Sequence, residues 1–346
     1  MFDVSLKGKG AIPRGDDPRN ILYKDYIAGY TPVDWDTPFD IRMLIGDLPV
    51  NDQGTSSSCS GQSCSKLAEI AEAFESKQHT RLSARDVYSR VYVPAGGAYG
   101  YKALSTIVNR GVAPENVVSS YENGLPPNES FMRIQDNSPE ATEKALIRKA
   151  VSYAYITENS IDELALAIKR QNGVVFGVVG TNWGWTGDRP AIPQPGEDIW
   201  YHFITGIGYK LIGGKKHITV LNSWGTGWGD NGYGYISEDY IGGGWMFNAM
   251  TLLDGINPPE KIDMKRVIKV ADSNDQWLVE GSKRFHIPDA ATLIWLRDEL
   301  KVIIPVETVS SSDLESLEIG VPVPSVVVNG KVQELYNVLK DAFGEE

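Results

Sequence analysis

The spacing of apolar and polar positions divides the chain into stretches of different character. Residues 1–31 are polar and rich in turn formers (Gly8, Gly10, Pro13, Gly15, Pro18, Gly29), which predicts an arm lying on or beside the fold. From Pro32 to about Pro258 the pattern changes halfway. Leu67, Ile70, Ala71 and Phe74 recur at three-four spacing and predict a helix, whereas the later runs VVFGVVG, FITGIGY, HITVLN and YGYIS are short, apolar and rich in β-branched residues, as strands are. That order predicts an α+β domain over 32–258, a helical lobe followed by a β lobe. INPPEK, at 256–261, reads as a linker because paired prolines stop regular structure. Residues 259–346 then form a separate small α+β module. Strands are expected around VIKVADS, QWLVEG and RFHIP, with a turn at Glu280-Gly281-Ser282-Lys283 and a helix starting near Asp289. After the Asn329-Gly330 turn a last helix carries Val332, Leu335, Tyr336, Leu339 and Phe343 on one face.

Composition narrows the functional classes. With 346 residues, 42% of them hydrophobic, the chain is large enough for a packed core and a second small unit. Its net charge of -12 repels nucleic acid phosphates and anionic lipid, so no nucleic-acid partner and no membrane partner is expected. No apolar run of about 18 residues occurs, and MFDVSLKGKGAIPRGDD lacks the apolar core of a secretory signal. Two cysteines cannot build a disulfide scaffold and fit a reducing compartment, so the expected location is cytoplasmic or virion-associated. His79, His217 and His286 have no clustered ligands in sequence, and neither a metal nor another cofactor is expected.

The candidate chemistry lies in three separated stretches. In PVNDQGTSSSCSGQSCSKLAEIAEAFES, Cys59 follows Thr and Ser residues suited to capping and precedes the helical apolar set, so it is expected at a helix N-terminus. There the partial positive charge of the helix favours a thiolate and lowers the thiol pKa. Gln53, six residues earlier, offers an amide donor for an oxyanion beside the sulfur. Cys64 is about 140° further round the helix axis, too divergent for a bridge, and reads as a packing residue. His202 heads an apolar strand in DIWYHFITGIGYK, where a base is held rigidly. Asn222, in HITVLNSWGTGWGDNGYGYIS, follows a strand and precedes Trp224 and Trp228; its amide suits accepting from an imidazole N–H, with a tryptophan shielding the bond. Cys59 alone is also compatible with a buried packing residue, and His202 alone with a structural core histidine.

Together the stretches resemble the papain family of cysteine peptidases. LNSWGTGWGDNGYGYI looks like that family's asparagine motif, YHFITGIGY like its histidine strand and PVNDQGTSSSC like its glutamine-to-cysteine segment, in the family's order. The similarity spans roughly residues 32–258 and implies a papain-like two-lobe fold, helical lobe plus β-barrel-like lobe, with the active cleft between the lobes. It also implies a thiol endopeptidase acting on protein or peptide through a thioester, with catalytic Gln53, Cys59, His202 and Asn222. VPAGGAYGYKALSTIVNRGVAPE is similar to the segment that presents a glycine backbone to an extended substrate, which makes Gly96 or Gly97 the candidate. Matching positions imply that Gly177, Trp200 and Phe203, with Trp224, complete the substrate-binding set and favour an apolar residue two before the cut.

Several positions depart from the family pattern. Ser56 stands where many relatives carry a second cysteine, Ser60 where a tryptophan commonly follows the nucleophile, and Tyr201 where an aspartate commonly precedes the base. The usual long inhibitory prosegment does not fit into the 52 residues before Gln53. QWLVEGSKRFHIPD is similar to a small module of bacterial surface and phage proteins, which implies binding to a protein or cell-surface partner. Two alternatives follow: hydrolysis of peptidoglycan stem peptides, suggested by that module, and a catalytically inactive binding or virion structural protein, suggested by Ser60 and Tyr201.

Overall fold

The computed structural model describes residues 2–15, 21–25, 31–76, 78–157 and 159–253, and beyond them strands at 266–270, 276–280, 283–287, 306–309 and 318–319. The chain divides into two compact units, Met1–Ile256 and Asn257–Glu346, a division that falls inside INPPEK.

In the first unit β1 (Phe39–Asp40) and α1 (Arg42–Ile45) lead to the long α2 (Cys59–Ser76). After it come α3 (Ala84–Tyr88), α4 (Gly100–Asn109), α5 (Glu129–Met132) and α6 (Pro139–Leu146). The chain then alternates through β2 (Ser152–Tyr155), α7 (Ile161–Gln171), β3 (Val174–Thr181), β4 (Ile199–Ile212), β5 (Lys215–Leu221), β6 (Tyr233–Ser237), α8 (Glu238–Gly242) and β7 (Met246–Leu253). The strands form one antiparallel sheet in the order β2-β7-β3-β4-β5-β6, with β1 paired to β4.

The sheet separates two apolar clusters. One, with α7 and the tryptophans Trp185, Trp224 and Trp228, takes Ile204; the other, with α2, α3 and α4, takes Phe203. Alternation along β4 therefore sends neighbours to opposite sides. A bulge between Gly206 and Gly208 returns Ile207 and Tyr209 to the side of Ile204. Because α2 and α7 both pack on β4, the strand is buried on both faces, which is why FITGIGY reads as a continuous apolar run. Helix α7 has no counterpart among the sequence-based expectations. Its signals are nonetheless present: Ser160 Oγ accepts from Glu163 N–H at 3.2 Å, Leu164, Ala165 and Ile168 face inward, and Asn172 closes the helix at φ 61°.

In the second unit β8 (Arg266–Val270), β9 (Gln276–Glu280) and β10 (Lys283–Ile287) fall on the three runs expected to be strands and pair antiparallel, with Lys283 opposite Glu280. β11 (Val306–Val309) joins β8 and β12 (Glu318–Ile319) joins β10, both parallel. The helices expected near Asp289 and after Gly330 lie outside the described residues.

Candidate active site

Cys59 is the first residue of α2, and 14 of the 18 residues of that helix are buried. A helix so enclosed needs partners for its polar side chains, and most of them have one. Ser63 Oγ donates to the Phe203 carbonyl at 2.9 Å and Thr205 Oγ1 donates to the Ser63 carbonyl at 3.3 Å, which ties the start of the helix to β4. Further along, Lys66 donates to Glu69 at 2.5 Å and to the Pro49 carbonyl at 2.9 Å. The loop before Cys59 is fixed by Glu129, which accepts from Ser57 N–H at 2.7 Å, from Tyr88 Oη at 2.7 Å and from Arg133 Nε at 2.8 Å.

The Cys59 sulfur is fully buried. Burial pushes its thiol up to about 12, against the N–H groups of Phe203, Ser60 and Cys59 that pull it down, and with Glu129 adding to the rise. The expectation of a lowered pKa at the helix start is thus reversed in this conformation, because desolvation of a thiolate outweighs a helix terminus. Cys64 is also buried and free; its thiol points to the Gly100 carbonyl, 3.8 Å away, and burial raises its pKa.

The strand that brings Phe203 to the sulfur carries His202 one residue earlier, on its opposite face. His202 Nε2 lies 2.8 Å from Asn222 Oδ1, and that same oxygen accepts from Ser223 N–H at 2.8 Å. A backbone amide can only donate, so the shared atom is the amide oxygen and His202 Nε2 carries the proton. In the neutral ring Nδ1 is then the basic nitrogen, and it is buried without a hydrogen-bond partner among the described residues. Trp224 covers the ring at 4.6 Å between centroids, with Trp185 and Trp200 edge-on. Burial lowers the His202 pKa to about 3, opposed by the bond to Asn222 and reinforced by the charge of Lys9.

Gln53 is equally fixed. Its Nε2 donates to the Ser56 carbonyl at 2.8 Å and to the Gly8 carbonyl at 3.0 Å, while its Oε1 accepts from Ser223 Oγ at 2.5 Å. The structure thus gathers Gln53, Cys59, His202 and Asn222 around the start of α2, the front of β4 and the end of β5. Among the described residues no His/Cys/Asp/Glu group is arranged to hold a metal ion, and no helix is long and apolar enough to cross a membrane.

The expected substrate-binding set is placed less uniformly. Gly96 and Gly97 form a left-handed turn (φ 94° and 82°), but the Gly97 N–H donates to Tyr88 Oη and its carbonyl accepts from Val93 N–H. Ala98, the next residue, is the one whose N–H and carbonyl face outward to another segment. Gly177 sits beneath the Phe247 ring, which a Cβ there would meet at 2.2 Å, and Phe203 is fully buried with its ring edge-on to Phe247. Phe203 and Gly177 are therefore core positions in this conformation, because β4 alternation turns the Phe203 side chain inward. Trp200 is half-buried and Trp224 fully buried. The Ser60 hydroxyl is buried with no hydrogen-bond partner among the described residues, and Tyr201, 38% exposed, offers its carbonyl outward.

Comparison with known proteins decides the family. Residues 35–250 match the family profile described as papain family cysteine protease. The chain belongs to the papain family. Relatives include a cysteine protease of Blomia tropicalis, 25% identical over 58% of this chain and 61% of the relative, so the match spans under two thirds of that protein. A cathepsin L-like proteinase of Phaedon cochleariae is 26% identical over 67% of both chains. Among solved structures, xylellain, a cysteine protease from Xylella fastidiosa, aligns with TM-score 0.57 over 72% of this chain and 97% of its own, at 23% identity. A Carica candamarcensis cysteine protease aligns with TM-score 0.51 over 63% and 98%, also at 23% identity. The first unit has the papain-like α+β fold.

Ser223, Glu129, Tyr88 and Ala98 were not singled out from sequence. Ser223 adjoins Asn222 and was within reach of motif reading; the others act through contacts 41 to 72 residues distant in sequence or through the backbone, and leave no local pattern.

Proposed function

We propose that this papain-family protein is a cysteine endopeptidase using Cys59, His202, Asn222 and Gln53. The supporting observation is the fixed proton order on His202: Nε2–H is given to Asn222, leaving Nδ1 as the ring's acceptor. Cys59 Sγ adds to the substrate carbonyl carbon as its proton passes to His202 Nδ1. The carbonyl π pair moves to oxygen, and the oxyanion is held by Gln53 Nε2–H and the Cys59 N–H. Collapse expels the amine, which takes the proton from His202, and leaves a thioester. Water then attacks the thioester, its proton going to His202 Nδ1, and the thiolate leaves and is reprotonated. The substrates are protein or peptide.

The test is hydrolysis of a diverse fluorogenic peptide library, with casein and purified cell wall as comparison substrates, by the wild-type chain and Cys59→Ala. Library and casein turnover that disappears in Cys59→Ala, together with an acid-quenched adduct on Cys59, is expected. Turnover surviving in Cys59→Ala, or acylation at Cys64 instead, overturns the proposal.

A further inference from the structure

Between α2, β4 and the end of β5 lies a small cavity whose walls include Gln62, Ser63, Lys66, Thr205, Asn222 and Ser223. It leaves about 10 Å³ to the centre of a water molecule, room for one. Asn222 is 2% exposed, and its Oδ1 is turned to His202 Nε2 and to Ser223 N–H, at 2.8 Å each. Its Nδ2 is buried without a hydrogen-bond partner among the described residues. The bond to His202 takes Oδ1, so Nδ2 is the amide atom left for the cavity.

The hydrogens around this cavity can be followed one by one. Ser63 Oγ donates to the Phe203 carbonyl at 2.9 Å, Thr205 Oγ1 to the Ser63 carbonyl at 3.3 Å and Ser223 Oγ to Gln53 Oε1 at 2.5 Å. Each hydroxyl has one hydrogen and spends it on an oxygen that only accepts, so it offers the cavity lone pairs alone. Gln62 Oε1 accepts from Asn51 Nδ2 at 3.0 Å and keeps a second lone pair. On the donor side stand Asn222 Nδ2 and Lys66. The Lys66 ammonium gives hydrogens to the Pro49 carbonyl at 2.9 Å and to Glu69 at 2.5 Å, and carries a third. A cation seated here would meet the amide hydrogens and the ammonium, and an anion would meet the hydroxyl lone pairs. A molecule that both donates and accepts fits, and the volume admits one water.

We infer that this cavity seats one buried water, which accepts from Asn222 Nδ2–H and Lys66 Nζ–H and donates to two of the oxygens of Gln62, Ser63 and Thr205. The acceptors in the wall fix its polarity: both of its hydrogens are taken, so a lone pair faces Asn222. An asparagine amide can turn about its last torsion and exchange oxygen for nitrogen. Turned here, it would present N–H to Ser223 N–H and its oxygen to the lone pair of the water. The water therefore helps to hold Oδ1 on His202 and, through that bond, the proton on Nε2 that leaves Nδ1 basic. Ser63 and Thr205 are positioning residues that act through it. This catalytic consequence rests on the peptidase reading; the water site does not.

The site is tested by a crystal structure of the full chain in which ordered waters are visible. Expected is a density peak roughly 2.7–3.2 Å from Asn222 Nδ2 and from at least one of Ser63 Oγ, Thr205 Oγ1 and Gln62 Oε1. A dry cavity, or Nδ2 bonded to a protein oxygen, overturns it. The positioning role is tested by Thr205→Val, which removes one acceptor at nearly constant shape. It should lower kcat about fivefold with KM little changed, the size of one neutral hydrogen bond, and Thr205→Ser should restore most of the loss. The ¹⁵N shifts of the His202 ring should report the Nε2–H tautomer in wild type and Thr205→Ser, and a mixture in Thr205→Val. Unchanged kcat and unchanged ring shifts in folded Thr205→Val, or an equal loss in Thr205→Ser, overturn the role. Should Thr205→Val fail to fold, Ser63→Ala removes a different acceptor and is read in the same way. Absence of peptide hydrolysis in every chain would refute the peptidase, while the density and the ring shifts would still decide the water.

Discussion

Ser223 and Gln53, 170 residues apart in sequence, meet at 2.5 Å, hydroxyl to amide oxygen. The contact orients the Gln53 amide so that its N–H groups point at Ser56 and Gly8 rather than away. Ser223→Ala removes that restraint without touching substrate. The expected result is kcat lowered by roughly fivefold with KM little changed, since one neutral hydrogen bond is worth about 1 kcal/mol. Ser223→Thr should restore most of the loss. An equal loss in both variants would show that packing, not the hydroxyl, matters at this position.

The two buried cysteines should separate cleanly. Cys59→Ala is expected to remove turnover by several orders of magnitude, His202→Ala by a comparable factor because the two act as a unit, and Asn222→Ala by less. Cys64→Ala leaves a small cavity beside Gly100 and should cost about 1 kcal/mol in denaturant unfolding with activity retained. The order of severity is the check, and an inactive Cys64→Ala would reverse the assignment.

Much of this arrangement was legible because the determining signals are local. The apolar runs that became β3 to β6 and the helical spacing of Leu67, Ile70 and Ala71 state their own periods. What was hidden depends on contacts between distant segments. Residues 1–31 read as a polar arm because Gly8 and Gly10 look like turn residues, whereas they are glycines to let the chain lie flush on Ser56 and Ser57. Phe203 matched a pocket position, yet strand alternation buries it; the direction of a side chain follows from register and not from motif. The raised Cys59 pKa has a related origin: a helix N-terminus is visible in sequence and the burial of the sulfur is not.

The buried Lys66–Glu69 pair offers a prediction about stability alone. Glu69, 1% exposed, also takes His79 Nε2 at 2.8 Å and Leu82 N–H at 3.1 Å, so it anchors α2 to the loop that precedes α3. Lys66→Met would strand a buried carboxylate and should cost about 3 kcal/mol or more in denaturant unfolding, whereas the double change Lys66→Met with Glu69→Leu should recover part of it. Additive losses in the double variant would mean that the pair contributes no coupling.

Acid and alkali should each weaken the folded state, for separable reasons. His202 is held neutral by burial, with its pKa near 3 against an ordinary 6.5; it faces Asn222, the rings of Trp185, Trp200 and Trp224, and the Lys9 ammonium. Below 6.5 the unfolded chain binds a proton that the folded chain refuses, so the contribution of His202 is fully present above 6.5 and is lost as pH falls toward 3. Cys59, with Glu129 as its charged neighbour, has the opposite sign: a folded pKa raised to about 12 contributes fully below its unfolded value and is lost as pH rises toward 12. Thermal unfolding should therefore show a plateau bounded near pH 6.5 and 9, the ordinary values of the two groups. Other carboxylates also titrate in acid, so the decisive measurement is a difference. Between pH 6.5 and about pH 4 the unfolding midpoint of His202→Gln should fall less steeply than that of wild type, because the variant has no imidazole to protonate in the unfolded chain. Parallel curves would mean that His202 takes up its proton without leaving its buried site, contrary to the energetic cost of an imidazolium enclosed by three indoles and a lysine.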